Sequence, residues 1–84
     1  LEETVYGHKL ERRLGRGLAG EVYLAIDRAS GREVAVKLSH PTKDSVHHLE
    51  REFFTLSQLD HPDIVKVFDF GRARDGRAYF TMEF

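Results

Sequence analysis

At positions 21–27 the chain reads Glu-Val-Tyr-Leu-Ala-Ile-Asp, with Val22, Leu24 and Ile26 on alternate residues. A period of two belongs to a strand with one buried face, so a strand is predicted here. "RASG" (28–31) reads as a tight turn, and "REVAVKLS" as the returning strand of a hairpin. On that strand Val34, Val36 and Leu38 share one face, and Ala35 and Lys37 share the other. Pro41 ends it, because proline has no N–H to give to a ladder. Over 45–59 the period lengthens: Val46, Leu49, Phe53 and Leu56 recur at three and four, the apolar stripe of an amphipathic helix. Asp44 or Ser45 suits its N-cap, and "DHP", with Pro62, ends it.

Upstream, "YGHKLERRLG" (6–15) is an unevenly patterned strand. Downstream, "IVKVFDFG" (64–71) alternates Val65, Val67 and Asp69, "RARDGR" turns around Asp75-Gly76, and "AYFTMEF" (78–84) is a last strand. The predicted order is β-β-β-α-β-β. That is a five-stranded, mostly antiparallel sheet with one helix packed on it, of the α+β class. No internal repeat, low-complexity segment or linker interrupts it.

Composition narrows the picture. With 84 residues the chain is one small domain, and a core of that size rarely supplies more than roughly 3–5 kcal/mol. The absence of cysteine excludes disulfides and thiolate metal sites. A formal net charge of -1 gives no bulk attraction to nucleic acid or an anionic membrane. The lack of cysteine is compatible with a cytoplasmic location; no apolar run approaches the ~20 residues of a membrane span, and no signal-peptide pattern opens the chain. The chain opens at Leu1 and closes inside an apolar strand, so it reads as a piece of a longer protein that continues past Phe84.

The chemistry begins at "LGRGLAGEVYLA" (14–25), where Gly15, Gly17 and Gly20 form G-x-G-x-x-G. A dinucleotide-binding loop would open a helix at its third glycine, and here a strand follows. A P-loop would continue Gly-Lys-Ser/Thr, and here Glu21-Val22 follows. What remains is a hairpin with a glycine-rich bend, whose tip amides can fold over an anion. Lys37 lies in the otherwise apolar "VAVKL", and Glu52 lies against the helix's apolar stripe. Charges so placed need a partner or water, and pairing with each other satisfies both. By themselves these residues also suit a bulged hairpin without ligand and a structural ion pair.

"GRGLAGEV", "VAVK", Glu52, "HPDIV" and "MEF", in this order and spacing, resemble the small lobe of a eukaryotic-like, bacterial-type serine/threonine protein kinase, over 6–84. The resemblance implies an N-terminal ATP-binding lobe occupying 1–84 and truncated at the hinge, with the C-terminal catalytic lobe absent. Gly15, Gly17 and Gly20 would cover the ATP phosphates, Lys37 would contact the α- and β-phosphates, and Glu52 would pair with Lys37. Leu14 and Val22 would roof the adenine, with Ala35 beside it and Val65 and Met82 at the back. Met82 matches the gatekeeper, and Glu83 opens the hinge. Leu56 and Val67 match the apolar residues that stack toward the other lobe. Arg16, between the first two glycines, counts with the nucleotide-binding set, and otherwise reads with Arg12 and Arg13 as an exposed face. The tip, Leu18-Ala19, departs from the glycine or aromatic residues often found there.

H-R-D-x-x-x-x-N is missing, and Asp69-Phe70-Gly71 comes too early to be the family's metal-binding D-F-G. It reads instead as the end of a strand and the start of a turn. Mg²⁺ is therefore expected only with the C-terminal lobe, and the 84-residue chain alone is expected to be inactive. The parent reaction implied is γ-phosphoryl transfer from Mg-ATP to a protein hydroxyl. Partners implied are a protein substrate and the C-terminal lobe, with self-association through the exposed lobe interface. A pseudokinase or nucleotide-sensing module is the alternative. A small-molecule kinase fits less well with "HPDIV" and the complete glycine triplet. His47 and His48 read as solvated, and His61 as organising a turn.

Overall fold

The structure, a computed structural model, describes residues 3–5, 7–17 and 20–84, with side chains from Gly7 onward. Tyr6, placed in the first expected strand, and the loop tip Leu18-Ala19 lie outside the described residues. In chain order the elements are β1 (Glu3–Val5), β2 (His8–Gly17), β3 (Gly20–Asp27), β4 (Glu33–Leu38), α1 (Lys43–Ser57), β5 (Val67–Arg72) and β6 (Ala78–Met82). The sheet order is β1-β2-β3-β4-β6-β5, and every neighbouring pair is antiparallel. The five expected strands and the helix stand in the expected order. The short β1 is an addition at the sheet's edge, pairing Glu3 with Leu10 and Val5 with His8. Three residues are too few for a period to show.

Side-chain alternation divides the core in two. On one face Leu10, Ala25, Val36, Leu38 and Tyr79 cluster, with Tyr23 and Val34 packed beside them. On the other, Ala78 and Phe80 meet Val46 and Leu49 of α1, and Phe53, Leu56, Val67, Phe70 and Met82 extend the contact. Phe53 lies between Phe70 and Phe80, with ring centroids 5.4 and 5.6 Å away, within the range of favourable tilted aromatic contacts. The predicted helix stripe is thus the surface that docks on the sheet.

Local chemistry moves several boundaries. The N-cap is Thr42, not Asp44 or Ser45: its backbone is extended (φ -100°, ψ 152°) and its Oγ1 accepts from Ser45 N at 3.2 Å. Asp44 falls inside the first turn, where its charge complements the helix dipole. Ser45 is buried, and its hydroxyl accepts from His40 N. The helix stops at Ser57, short of Leu59, as Gln58 N and Leu59 N close 3.2 Å bonds to carbonyls three residues back.

β5 begins at Val67 rather than at residue 64, and its alternation is broken. The register shifts between Val67 and Phe70, so these residues, three apart, both reach the α1 face. Asp69 is exposed, and its N–H is taken by Thr81 Oγ1 at 3.0 Å. The strand also runs through Gly71 to Arg72, where a turn was expected. A Cβ on Gly71 would press into the Tyr79 ring across the pair, so the glycine lets that ring lie over the strand. Two register irregularities in β2, between Leu10 and Arg12 and between Arg13 and Gly15, account for its uneven pattern.

Candidate functional site

Directly paired residues of neighbouring antiparallel strands project to the same side of the sheet. Gly15 pairs with Val22, Val22 with Lys37, and Lys37 with Phe80, which sets the four in one row on the α1 face. The next row carries Leu24, Ala35 and Met82. Helix α1 covers the Phe80 end of this face. At its edge Lys37 Nζ donates to both carboxylate oxygens of Glu52, each at 2.8 Å. The two side chains are 21% and 31% exposed, so the pair is neither dry nor freely solvated. Two of the ammonium's three N–H groups serve Glu52. Among the described residues the third has no partner.

The glycine hairpin β2–β3 contributes Gly15 and Val22 to this row, and its three glycines differ in kind. Gly20 has φ +138°, and a Cβ there would run into the Leu38 carbonyl, so the fold itself demands glycine. Gly15 and Gly17 have no such φ, and a Cβ on either would meet nothing within 4 Å. Nothing in the described residues requires glycine at those two places. The two glycines leave an open cradle lined by backbone.

The hairpin's stem is braced. Arg13 Nη1 and the Tyr23 hydroxyl donate to Glu21 Oε2 at 3.2 and 3.0 Å. The Tyr23 bond first, then Arg13, hold the Glu21 carboxyl below its ordinary range. Higher up, His40 Nε2 lies 3.0 Å from the Gly17 carbonyl oxygen. Sequence reasoning passed over His40. It has no period or motif to mark it, and its role appears only where the chain leaves β4 beneath the hairpin.

Other expected residues are placed as follows. Ala35 is buried, Val22 and Met82 are half-buried, and Arg16 is exposed. Leu14 (39% exposed) falls in the irregular register before Gly15, and Val65 (40% exposed) stands before β5 begins. Glu83 N donates to the Lys66 carbonyl at 2.9 Å, while its Oε1 accepts from Lys66 N at 2.8 Å. It ties the approach to β5 against the end of β6. Leu56 and Val67 are half-buried in the α1 cluster. His47 and His48 are exposed, and His61 Nδ1 accepts from Asp63 N at 3.1 Å within its turn. Among the described residues no three His, Cys, Asp or Glu side chains gather as metal ligands would. An open cleft of about 440 Å³ lies on the opposite face, lined in part by Asp27, Arg32, Phe68, Thr81 and Phe84. Of the expected site residues it includes only Glu83.

Comparison with known proteins points the same way. Residues 8–84 match the family described as the protein kinase domain. The chain is 45% identical over 73 residues to the DNA damage-responsive serine/threonine-protein kinase RqkA of Deinococcus radiodurans, covering 82% of this chain and 11% of that protein. It is 40% identical over 86 residues to the serine/threonine-protein kinase PknE of Mycobacterium tuberculosis, covering 96% of this chain and 15% of that one. The crystal structure of the Mycobacterium tuberculosis PknI kinase domain superposes with a TM-score of 0.75 at 27% identity, over 98% of this chain and 34% of that chain. The chain therefore spans a small fraction of the length of the kinases it matches.

Proposed function

The chain belongs to the protein kinase family, of the bacterial serine/threonine type and with the small-lobe fold, and from that premise we propose that it is the ATP-binding lobe of a serine/threonine protein kinase. Bound Mg-ATP supplies the γ-phosphoryl group for transfer to a protein hydroxyl. The residues of this chain bind and orient. Gly15 and Gly17 leave room for phosphates to reach the hairpin's main chain. Lys37 brings positive charge to the α- and β-phosphates. Glu52 holds the ammonium in place through both carboxylate oxygens, acting as a positioning residue. Val22, Ala35 and Met82, on adjoining rows of one face, offer the apolar surface that an adenine ring requires, with Leu14 and Val65 at its margins and Glu83 at the hinge. Arg16 adds a cation beside the loop.

One observation carries this reading: Lys37, paired with Glu52, shares a sheet row with the glycine hairpin, two of whose glycines the protein's own packing does not explain. The catalytic base and Mg²⁺ ligands belong, on this reading, to the C-terminal lobe, so the 84-residue chain alone transfers no phosphate. The test is transfer of labelled phosphate from ATP to a protein substrate. We expect activity from the full-length protein, none from the isolated chain, and none from full-length Lys37→Met. Transfer by full-length Lys37→Met at the wild-type rate would overturn the assignment.

A further inference from the structure

The connection leaving β4 is bound on three sides. Ser39, buried at 2% exposure, donates its N–H to the Ala78 carbonyl at 2.8 Å and accepts from Ala78 N through Oγ at 3.0 Å, which fixes it to β6. His40 N donates to Ser45 Oγ at 2.9 Å, which fixes it to the first turn of α1. The Leu38–Ser39 backbone packs so closely under Gly20 that no side chain fits there, and the His40 ring reaches Gly17. Both sides of the hairpin's tip, paired as Gly17 with Gly20, therefore rest on the segment that anchors α1.

We propose that His40 is a positioning residue that latches the glycine hairpin to the N-terminal turn of α1. A carbonyl oxygen only accepts, so the contact requires His40 Nε2 to carry a proton. Through this bond the glycine hairpin and the helix that carries Glu52 share one connected set of hydrogen bonds. Displacing either one strains the other. The latch is a statement about the protein alone. Its consequence for nucleotide affinity rests on the proposed ATP-binding role.

The experiment uses the full-length protein, selectively labelled at histidine, without nucleotide and at a pH where the ring is neutral. Long-range proton–nitrogen correlation should show His40 as the Nε2–H tautomer, and the Nδ1–H tautomer would overturn the latch. Two variants extend the test. His40→Phe keeps a ring without a donor, and His40→Gln keeps an N–H at similar reach. In His40→Phe the amides at the hairpin tip should exchange about two- to tenfold faster, the range of one net hydrogen bond. The KM for ATP should rise by a similar factor with kcat unchanged, and His40→Gln should restore both. Unchanged tip exchange in His40→Phe would remove the latch. Faster exchange with an unchanged ATP KM would remove the positioning role. A wild-type protein that binds no nucleotide would instead overturn the proposed function, while tautomer and exchange still decide the latch.

Discussion

A methyl group added at Gly15 meets open space, and one added at Gly20 meets the Leu38 carbonyl at a φ that side chains rarely adopt. The two substitutions should therefore separate folding from function. Gly15→Ala is expected to leave the melting temperature unchanged or slightly raised, since alanine reduces the unfolded chain's freedom where the native φ is ordinary. It should still weaken ATP binding, because the methyl occupies the cradle. Gly20→Ala is expected to cost about 1–3 kcal/mol or more through backbone strain and overlap. Thermal melts beside nucleotide titrations check both. Gly15→Ala that melts far below wild type would mean the glycine is structural after all. Lys37 and Glu52 were legible as a pair because a charge on an apolar strand and one on an apolar helix stripe each needed a partner. His40 was not legible, because its partner is a backbone carbonyl, and every residue offers one.

Among the elements, α1 shows how capping decides a boundary that periodicity leaves loose. The stripe from Val46 to Leu56 identified the helix and its buried face, but Thr42, Asp44 and Ser45 are all competent caps. The geometry selects Thr42, since its Oγ1 reaches Ser45 N and Ser45 Oγ is engaged by His40 N. Thr42→Ala should accordingly destabilise the lobe by about 1 kcal/mol, and denaturant unfolding will show it. A loss from Asp44→Ala with none from Thr42→Ala would contradict this cap. The turns make a second prediction. Asp27 accepts from Ala29 N and Ser30 Oγ, and Asp75 accepts from Arg77 N and its side chain. The backbone bond is the leading cause in each, and both carboxyls sit below the ordinary aspartate range. A depressed folded pKa contributes stability above the unfolded value of about 4, and that contribution fades as pH falls through the lower folded value. Carboxyl titration should place both groups below freely exposed aspartates, and values at or above theirs would break the assignment. β5 was misjudged at both ends because a register irregularity cancels the period of two, and no residue type announces it. Gly71 reads in the sequence as the approach to a turn, and the Tyr79 ring lying across it gives the glycine its place in the strand.

Across the described residues, several large apolar side chains lie exposed. Phe54 (66% exposed), Phe84 (63%), Leu59 (48%), Phe68 (47%) and Val65 (40%) present apolar surface to solvent. Scattered apolar residues are ordinary, but a contiguous patch beyond a few hundred Å² tends to become an interface. We expect the isolated 84-residue chain to self-associate or bind a hydrophobic dye, and the full-length protein to do so less. Sedimentation of the two side by side checks this, and a monomeric isolated chain that melts as high as the full-length protein would contradict it. The fold class and the order of elements along the chain were readable at this scale because α1's stripe and the β3–β4 alternation are long enough to specify a face, whereas the place of β6 between β4 and β5 was not. Nor was the sheet's edge strand β1.

The central claim is that Lys37, in one sheet row with Val22 and Gly15 of the glycine hairpin, meets phosphate rather than base. Calorimetric titration of the full-length protein with ATP and with adenosine tests it directly, comparing wild type with Lys37→Met. The account predicts that Lys37→Met weakens ATP at least about tenfold, as loss of a charge-assisted contact should. It predicts that adenosine binds both proteins alike. Equal loss for ATP and adenosine, or no loss for either, would contradict it.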